Sequence, residues 1–179
     1  MTLILERFAS PIGEVLLVAR DARLAALEFG DDWGDASPRP ANRLARLLAA
    51  RFGSGTAPME GRTGFAAPLA AYFKGNIAAL DALPLDPGGT SFQRRCWNAL
   101  RAIRPGETRS YGAVAAAIGR PGAARAVGLA NALNPISIAI PCHRLVGGNG
   151  ALTGYGGGLA RKRWLLDHER RSRPGGPGA

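Results

Sequence analysis

The sequence predicts a mixed α/β (α+β) fold, in which a small antiparallel sheet precedes a mainly helical region. Three observations support this class. Short apolar segments alternate with turn signals near the N-terminus, apolar residues recur at helical spacing later, and a Gly-Pro turn joins two short helices. A chain of 179 residues with 46% hydrophobic residues can bury a sizeable core in one or two domains.

The first three segments are predicted to form an antiparallel meander. The strings LILERF, EVLLVAR and RLAALEF are separated by the turn-like strings SPIG and DA. A loop at residues 31–40, a helix over residues 41–52, a further loop and a short helix ending at Gly75 are expected next. The string LPLDPGG is predicted to end an N-terminal domain of residues 1–86.

A second domain is predicted over residues 87–170, followed by a disordered tail at residues 171–179. Ser91 is the candidate N-cap of an amphipathic helix that places Cys96 on its buried face. The string ISIAIP is predicted to be a short strand leading into Cys142, and LARKRWLLDHERR is predicted to be the last helix.

Between these elements, two helices joined by GRPG form a predicted helix-turn-helix. Ser110 can cap the first helix, and the second, AARAVGLANAL, carries Arg125 as its one long cation. A major-groove helix usually presents Asn, Gln or several Arg to base edges, so this slim surface favours close approach to a narrow minor groove. Close packing of two helices through small residues explains the same composition equally well.

Charge is divided unevenly along the chain. Residues 1–90 contain nine basic and ten acidic side chains, whereas residues 91–179 contain fourteen basic and three acidic ones, giving the net charge of +10. This division suggests that the second half meets a polyanion, although a solvated basic surface is the simpler alternative.

Several classes of protein are disfavoured by the sequence. No apolar run approaches the roughly 18 residues of a membrane helix, and MTLILERFAS lacks a long apolar signal-peptide core, so we expect a cytoplasmic protein without a membrane partner. The two cysteines, Cys96 and Cys142, and the two histidines, His143 and His168, lack the usual ligand spacings. We therefore predict no metal site.

Cys142 and His143 are adjacent in IAIPCHRLVG, which permits either a buried structural thiol or a nucleophile on a rigid turn. In a regular strand their side chains would point to opposite faces, so we expect proton transfer through one bridging water. A nearby imidazole should favour the thiolate. Glu169 could orient that imidazole, and Lys162 lies seven residues earlier on nearly the same helix face. Spacing alone favours an exposed, salt-bridged face for this pair.

At this point a family resemblance becomes specific. The strings GTSFQRRCWNALRAIRPGETRSYGAVAAAIGRPGAARAVG and IPCHRLVGGNGALTGYGGGLARKRWLL, with NP between them, resemble the O6-alkylguanine-DNA alkyltransferases, also called methylated-DNA–protein-cysteine methyltransferases. The resemblance is close over residues 88–170, while residues 1–85 look like the family's more variable N-terminal domain. It implies a ribonuclease H-like N-terminal domain and a winged helix-turn-helix-like alkyltransferase domain.

The resemblance implies irreversible, single-turnover transfer of an alkyl (methyl) group from O6-alkylguanine in double-stranded DNA, after the base is flipped out. Neither a cofactor nor a metal is implied, and the protein would be a monomer that could bind DNA cooperatively. The implied catalytic residues are Cys142, His143, Glu169, Asn134, Tyr111 and Lys162.

Each of these residues has an implied role. Cys142 accepts the alkyl group, His143 activates it through a water and Glu169 orients His143. Asn134 supports the turn, and Tyr111 contacts or protonates the guanine leaving group. Lys162 lies close to the acceptor. Arg125 would be the intercalating finger, with further DNA contacts from Ala124, Ala126, Gly128 and Asn131, and the substrate pocket would be lined by Tyr155, Gly156, Gly157 and Pro141.

The chain departs from the family pattern in three places. Residues 1–90 contain no Cys or His, so the N-terminal structural zinc of some relatives is not expected. Gly156 stands where some relatives have a serine, which removes one candidate hydrogen bond to O6. Asn131 stands on the recognition helix where larger apolar residues are familiar, which puts a groove wedge at that position in doubt.

Two other functions are compatible with parts of the sequence. A cysteine hydrolase would use Cys142, His143 or His168, and Asn134, but it gives no reason for the charge division. A DNA-damage sensor without catalytic activity would need only the helix-turn-helix. Alkyltransferase-like binding proteins lack the acceptor cysteine, whereas Cys142 is present here.

Overall fold

The computed structural model describes residues 2–30 and 43–173. Its N-terminal sheet has the strand order β3-β2-β1-β4. The strands are β1 (Leu3–Ser10), β2 (Gly13–Arg20), β3 (Arg23–Phe29) and β4 (Met59–Glu60). The antiparallel meander of β1, β2 and β3 is confirmed, whereas β4, which pairs parallel with β1, lies in a segment predicted to be a loop. Two residues are too few for a period-2 pattern to reveal.

The turn between β2 and β3 has a clear local cause. Asp21 and Ala22 both adopt positive φ angles, 48° and 58°, and Arg20 pairs with Arg23 across them. Two-residue hairpins require this left-handed conformation because it matches the twist of the flanking strands. The loop predicted at residues 31–40 lies outside the described residues.

The predicted helices are confirmed with small shifts at their ends. They are α1 (Arg43–Phe52), α2 (Ala66–Phe73), α3 (Ser91–Arg101), α4 (Tyr111–Ala117), α5 (Ala124–Ala132) and α6 (Leu159–Arg171). Short 3-10 turns occur at Ile77–Leu80 and Cys142–Arg144, and β5 (Arg109–Ser110) pairs in parallel with β6 (Leu145–Val146). The disordered tail was predicted to begin at residue 171, but Arg171 is the last residue of α6 and Arg173 donates to Glu107 at 3.1 Å, while residues 174–179 lie outside the described part of the chain.

The N-cap of α3 is Thr90, so the prediction of Ser91 was wrong by one position. The Thr90 hydroxyl accepts a hydrogen bond from the Gln93 amide at 3.2 Å, and the Gln93 side chain accepts one from the Thr90 amide at 2.7 Å. This reciprocal capping box satisfies two helix-terminal donors, which Ser91 inside the first turn cannot do.

One buried cluster joins elements from both halves of the chain. It includes Leu27 of β3, Leu69 of α2, Leu100 of α3 and Leu165 of α6, each at most 1% exposed. The boundary proposed between residues 86 and 87 stays a prediction. None of the helices in the described ranges is long and apolar enough to cross a bilayer.

We expect Thr90→Ala to lower the free energy of unfolding by about 1 kcal/mol, because it removes a capping hydrogen bond from α3. Urea denaturation followed by circular dichroism measures this change. Ser91→Ala is the matched control and should shift stability by less than about 0.5 kcal/mol. Equal effects of the two substitutions would contradict the assignment of the cap.

Candidate active site

The segment before Cys142 is a series of tight turns, so the predicted ISIAIP strand is wrong. The backbone amide of Ile140 donates to the Ile136 carbonyl at 2.9 Å, and the amide of Cys142 donates to the Ile140 carbonyl at 2.7 Å. Ile138 adopts a φ of 68°, a left-handed conformation that a β-branched residue rarely takes. The apolar alternation therefore reflects burial on all sides instead of a pleated strand.

This turn is attached to the edge of the N-terminal sheet. The Leu27 amide donates to the Pro135 carbonyl, and the Ser137 amide donates to the Leu27 carbonyl, both at 2.9 Å. Leu27 and Ile136 thus form an isolated parallel bridge beside β3. Strand β3 fixes the position of the segment that carries the thiol.

Asn134 closes the turn from inside. Its side-chain amide donates to the Ile140 carbonyl at 2.9 Å, and its side-chain oxygen accepts from the Ile136 amide at 3.0 Å. The residue is 1% exposed. Its geometry agrees with the supporting role inferred from the resemblance.

The Cys142 thiol is 5% exposed and, like Cys96, is a free cysteine. Burial raises the pKa of Cys142 above its ordinary value, whereas its hydrogen bond with Asn134 and the charges of Arg43 and Lys162 lower it. Burial prevails, so the resting group is the neutral thiol. The expectation that the adjacent imidazole would favour the thiolate does not describe this resting state.

His143 is fully buried and points to the last helix. Its Nε2 lies 2.7 Å from Oε1 of Glu169, and a carboxylate can only accept, so Nε2 carries the proton. Burial lowers the pKa of His143, although Glu169 opposes this shift. The other ring nitrogen, Nδ1, is buried without a hydrogen-bond partner among the described residues. Nδ1 is therefore the atom available to accept a proton.

Glu169 accepts five hydrogen bonds. Oε1 receives them from the Tyr72 hydroxyl at 3.0 Å, from His143 and from Nη2 of Arg144 at 2.9 Å. Oε2 receives them from the Gly106 amide at 2.7 Å and from Nε of Arg144 at 3.0 Å. Burial alone would raise the pKa of Glu169, but its interactions with His143 and Arg144 hold it well below its usual range.

Lys162 is buried, as is Glu169, so the preferred interpretation of this pair as an exposed salt-bridged face was wrong. The Lys162 ammonium donates to the Thr153 carbonyl at 2.6 Å. Burial lowers the pKa of Lys162 from 10.5 to about 8, while its interaction with Cys142 opposes that shift. Lys162 is thus a partly desolvated cation whose charge acts on the thiol.

The glycine-rich loop brings an aromatic ring to His143. The Tyr155 ring lies 6.4 Å from the His143 ring and 6.2 Å from the Phe29 ring. A Cβ atom at Gly157 would lie 2.6 Å from the Phe29 ring, so only glycine fits there. Gly156 is exposed beside the Arg43 side chain.

Pro141 lies on another side of the turn. Its buried ring lines a cavity together with Tyr72, Ile138 and Arg144. The cavity residues do not include Tyr155 or the glycines of the loop.

Four side chains at the site had no predicted role. Tyr72 and Arg144 hold Glu169, and Arg43 donates to Glu28 at 3.0 Å and to the carbonyls of Ala132 and Asn134 at 3.0 and 3.2 Å. Glu28, which is 1% exposed, also lies 3.5 Å from the Ser137 hydroxyl. Only Arg144 had a sequence signal, as the last residue of PCHR, because the other three come from distant segments.

Helix α5 divides its small residues between two faces. Val127 and Ala130 are buried, and the Trp97 indole donates to the Ala130 carbonyl at 2.9 Å. On the outer face, Arg125 and Ala126 are exposed, and Ala124 is half-buried. The packing interpretation of the slim helix is therefore confirmed for its inner face, and the approach of a partner to its outer face stays a prediction.

Two predicted positions near α5 have different outcomes. A Cβ atom at Gly128 would lie 3.8 Å from the Tyr111 ring, so Tyr111 of α4 is packed next to α5. Asn131 is only 8% exposed and lies on the buried face of α5, so its position does not favour the predicted DNA contact, which stays a prediction. The exposed apolar side chains of this region are Leu129 and Leu133.

Comparison with known proteins decides the family. The second half of the chain matches the family model described as 6-O-methylguanine DNA methyltransferase, DNA binding domain, over residues 91–171. A Salmonella typhimurium protein named methylated-DNA–protein-cysteine methyltransferase is 47% identical over 170 residues, covering 94% of this chain and 96% of the relative. The chain belongs to the methylated-DNA–protein-cysteine methyltransferase family.

Solved structures extend this membership to the whole fold. A crystal structure of Mycobacterium tuberculosis OGT in complex with DNA has a TM-score of 0.76 and 40% identity, with 96% of each chain covered. The O6-methylguanine-DNA methyltransferase of Pyrococcus kodakaraensis KOD1 has a TM-score of 0.64 and 25% identity, with 94% of this chain and 99% of that chain covered. The predicted mixed α/β architecture of this methyltransferase family is confirmed.

A metal site needs several ligating side chains close together. Within residues 2–30 and 43–173, no three His, Cys, Asp or Glu side chains are grouped so that they could hold a metal ion.

Lys162→Met should remove a pH dependence of stability. The folded protein holds Lys162 at a pKa of about 8 instead of 10.5. The unfolded chain therefore binds more protons between these values, so the Lys162 contribution to stability rises with pH across this window. The full change corresponds to roughly 3 kcal/mol.

Urea unfolding of both proteins at several pH values between about 7.5 and 10.5 measures this difference. The stability of the wild type should rise relative to the variant as pH increases. Parallel curves would contradict the lowered pKa.

Proposed function

We propose that this chain repairs DNA by direct reversal, transferring an alkyl group from O6-alkylguanine irreversibly to its own Cys142. The observation that carries this proposal is the order of groups in the site. A buried thiol is followed by a neutral imidazole whose far nitrogen is held by a charged carboxylate, Glu169. Membership of the methylated-DNA–protein-cysteine methyltransferase family supports the assignment of substrate and acceptor.

The reaction is a displacement at the alkyl carbon. The sulfur of Cys142 forms the new S–C bond while the bond from that carbon to O6 breaks, and the electron pair of the broken bond stays with the guanine. The thiol proton passes to Nδ1 of His143 through a bridging water, and Tyr111 supplies a proton to the leaving guanine. The proton held by His143 then returns to the Tyr111 phenolate through water, so that the net transfer is of the thiol proton to guanine. The balance needs no oxidant, cofactor or metal.

The thioether product explains why the protein acts once. A thioether is a poor leaving group that water does not readily cleave, so Cys142 is consumed and each molecule repairs one lesion. The neutral resting thiol also protects a residue that can react only once, because a thiol is less nucleophilic than a thiolate toward other electrophiles. Deprotonation by His143 is then coupled to arrival of the substrate.

The electrostatics of the site favour transfer near neutral pH. Burial keeps His143 neutral, so Nδ1 can accept the thiol proton. Glu169 stays ionised and stabilises the imidazolium that forms. The charge of Lys162 lowers the pKa of Cys142 and so favours the developing thiolate.

Recognition of the lesion requires duplex DNA to open. The O6 atom is hidden within the stack, so the base must be flipped out at a cost of a few kcal/mol. Arg125 would fill the space left in the stack, while Ala124, Ala126 and Gly128 allow the backbone of α5 to approach the groove. Residues 91–179 contain fourteen basic and only three acidic side chains, and exposed ones such as Arg94, Arg95 and Arg120 would supply phosphate contacts that do not depend on sequence.

The flipped guanine would be held by the loop beside His143. Tyr155 offers a ring, and the glycines Gly156 and Gly157 keep the loop close to it. Pro141, which lines a different cavity, has no contact among the described residues that supports its predicted place in this pocket. As part of the same proposal, the protein is a monomer that can bind DNA cooperatively, and it is located in the cytoplasm.

Incubation with duplex DNA containing O6-methylguanine should add one methyl group to each molecule, on Cys142. Intact mass should rise by about 14 Da, and peptide mapping should locate the gain at that residue. Cys142→Ser should abolish the gain, with Cys96→Ser as the matched control that retains it. Transfer that survives Cys142→Ser would refute the acceptor assignment.

Arg125→Ala should slow repair of duplex DNA much more than reaction with free O6-benzylguanine, because only the duplex requires flipping. We expect at least about a tenfold loss with the duplex, equivalent to about 1.4 kcal/mol. Single-turnover rates on both substrates measure the ratio. Equal slowing on both would remove the finger role.

A further inference from the structure

The outer face of α5 carries two exposed leucines. Leu129 is 63% exposed and Leu133 is 42% exposed. They follow Arg125 at intervals of four residues, so the three side chains lie along one face of α5 and its C-terminal end. We call Leu129 and Leu133 the leucine ridge.

The ridge lies outside the described core. Neither leucine belongs to the two buried clusters, which take Val127 and Ala130 from the opposite face of α5. Single exposed leucines are ordinary on protein surfaces. Two on successive turns, in line with an exposed arginine and among Ala and Gly residues, form a continuous apolar edge.

Charge indicates which partner the ridge meets. The half of the chain that carries α5 has fourteen basic and three acidic residues, which suits a polyanion. The matched family model over residues 91–171 is described as a DNA binding domain. An apolar edge within such a surface suits a partner that presents both negative charge and apolar groups. A DNA groove does so, because phosphates line its rim and sugars and base edges line its floor.

We propose that the leucine ridge is an apolar wedge that enters the minor groove beside Arg125 and unstacks the base steps next to the flipped nucleotide. This inference rests on the proposed function. Successive members of the series lie about 6 Å apart along the helix axis, so Arg125 and the ridge span roughly 12 Å. That length corresponds to roughly three or four base pairs at 3.4 Å each.

In this proposal Leu129 and Leu133 make the apolar contacts with the groove, although no sequence motif pointed to them. Asn131 stands where a large apolar residue was expected, but it is buried. The exposed face of α5 therefore takes its large apolar side chains from the ridge instead. Apolar insertion is tolerant of sequence, which suits a protein that must act wherever a lesion occurs. Unstacking beside the lesion also lowers the energy still needed to extrude the base.

Leu129→Ala, Leu133→Ala and the double variant test this proposal in the full-length protein. Alanine is the best helix former, so α5 should persist, and circular dichroism and thermal unfolding check this. Met59→Ala is the matched control, since Met59 is 62% exposed but lies on the short strand β4 of the N-terminal sheet. Binding to a lesion-bearing duplex, its dependence on salt, and transfer rates on the duplex and on free O6-benzylguanine are measured for each protein.

The double variant should bind the duplex about tenfold or more weakly, because burial of two leucines is lost. Its slope of log K against log salt should match that of the wild type, since no phosphate contact is removed. Its rate with free O6-benzylguanine should be unchanged. Energy transfer between dyes at the duplex ends should report a smaller bend than with the wild type. Met59→Ala should behave as the wild type does in all four measurements.

Several results would overturn the wedge. These are unchanged duplex binding, a reduced salt slope, an equal loss with the free base, and a dimer in sedimentation that the double variant dissolves. The last result would make the ridge a self-association surface. Failure of the wild type to transfer a methyl group at all would instead refute the proposed function, so the two failures are distinguishable.

Discussion

The buried carboxylate of Glu169 is the interaction on which the site depends. Its five hydrogen bonds come from α2, the loop after α3 and the PCHR turn, so one side chain joins three separate parts of the chain. Removing one partner from a buried ion pair is strongly destabilising, because the remaining charge stays desolvated. The same bonds orient the His143 ring and fix its tautomer. The stability of this region and the proton transfer that we propose would therefore depend on the same atoms.

The N-terminal half takes part in the chemistry by holding the acceptor turn. Strand β3 pairs with the backbone around Ile136, and Arg43 binds the carbonyls of Ala132 and Asn134. Tyr72 reaches Glu169 from α2, and burial raises the pKa of its hydroxyl well above the ordinary value, so it remains a donor. The turn with its left-handed Ile138 persists because these contacts surround it on several sides.

Helix α5 has two faces of different character. The inner face packs on α3 and α4 with small residues, which lets Tyr111 lie against Gly128. The outer face leaves Arg125 and two leucines exposed. A helix with small side chains on its packed face and apolar side chains on its exposed face can approach a DNA groove without specific contacts to bases. Repair of lesions in any sequence requires such binding.

Local patterns along the chain were enough to predict the meander, the helices, the family and the candidate acceptor. Each of these predictions follows from local periodicity, helix caps or contiguous motifs such as PCHR, which involve residues close together in the sequence. Errors arose where local pattern and burial disagree. ISIAIP alternates like a strand but is buried on every side, and Lys162 and Glu169 have the spacing of a surface pair but face the interior.

The distant side chains that complete the site could be identified from the folded chain alone. Tyr72, Glu28 and Arg43 are more than 60 residues from the PCHR turn, and no local spacing connects them to it. The burial that raises the pKa of Cys142 and lowers that of Lys162 is likewise a property of the assembled fold. Desolvation depends on everything packed around a group, whereas a motif specifies only its neighbours in the chain.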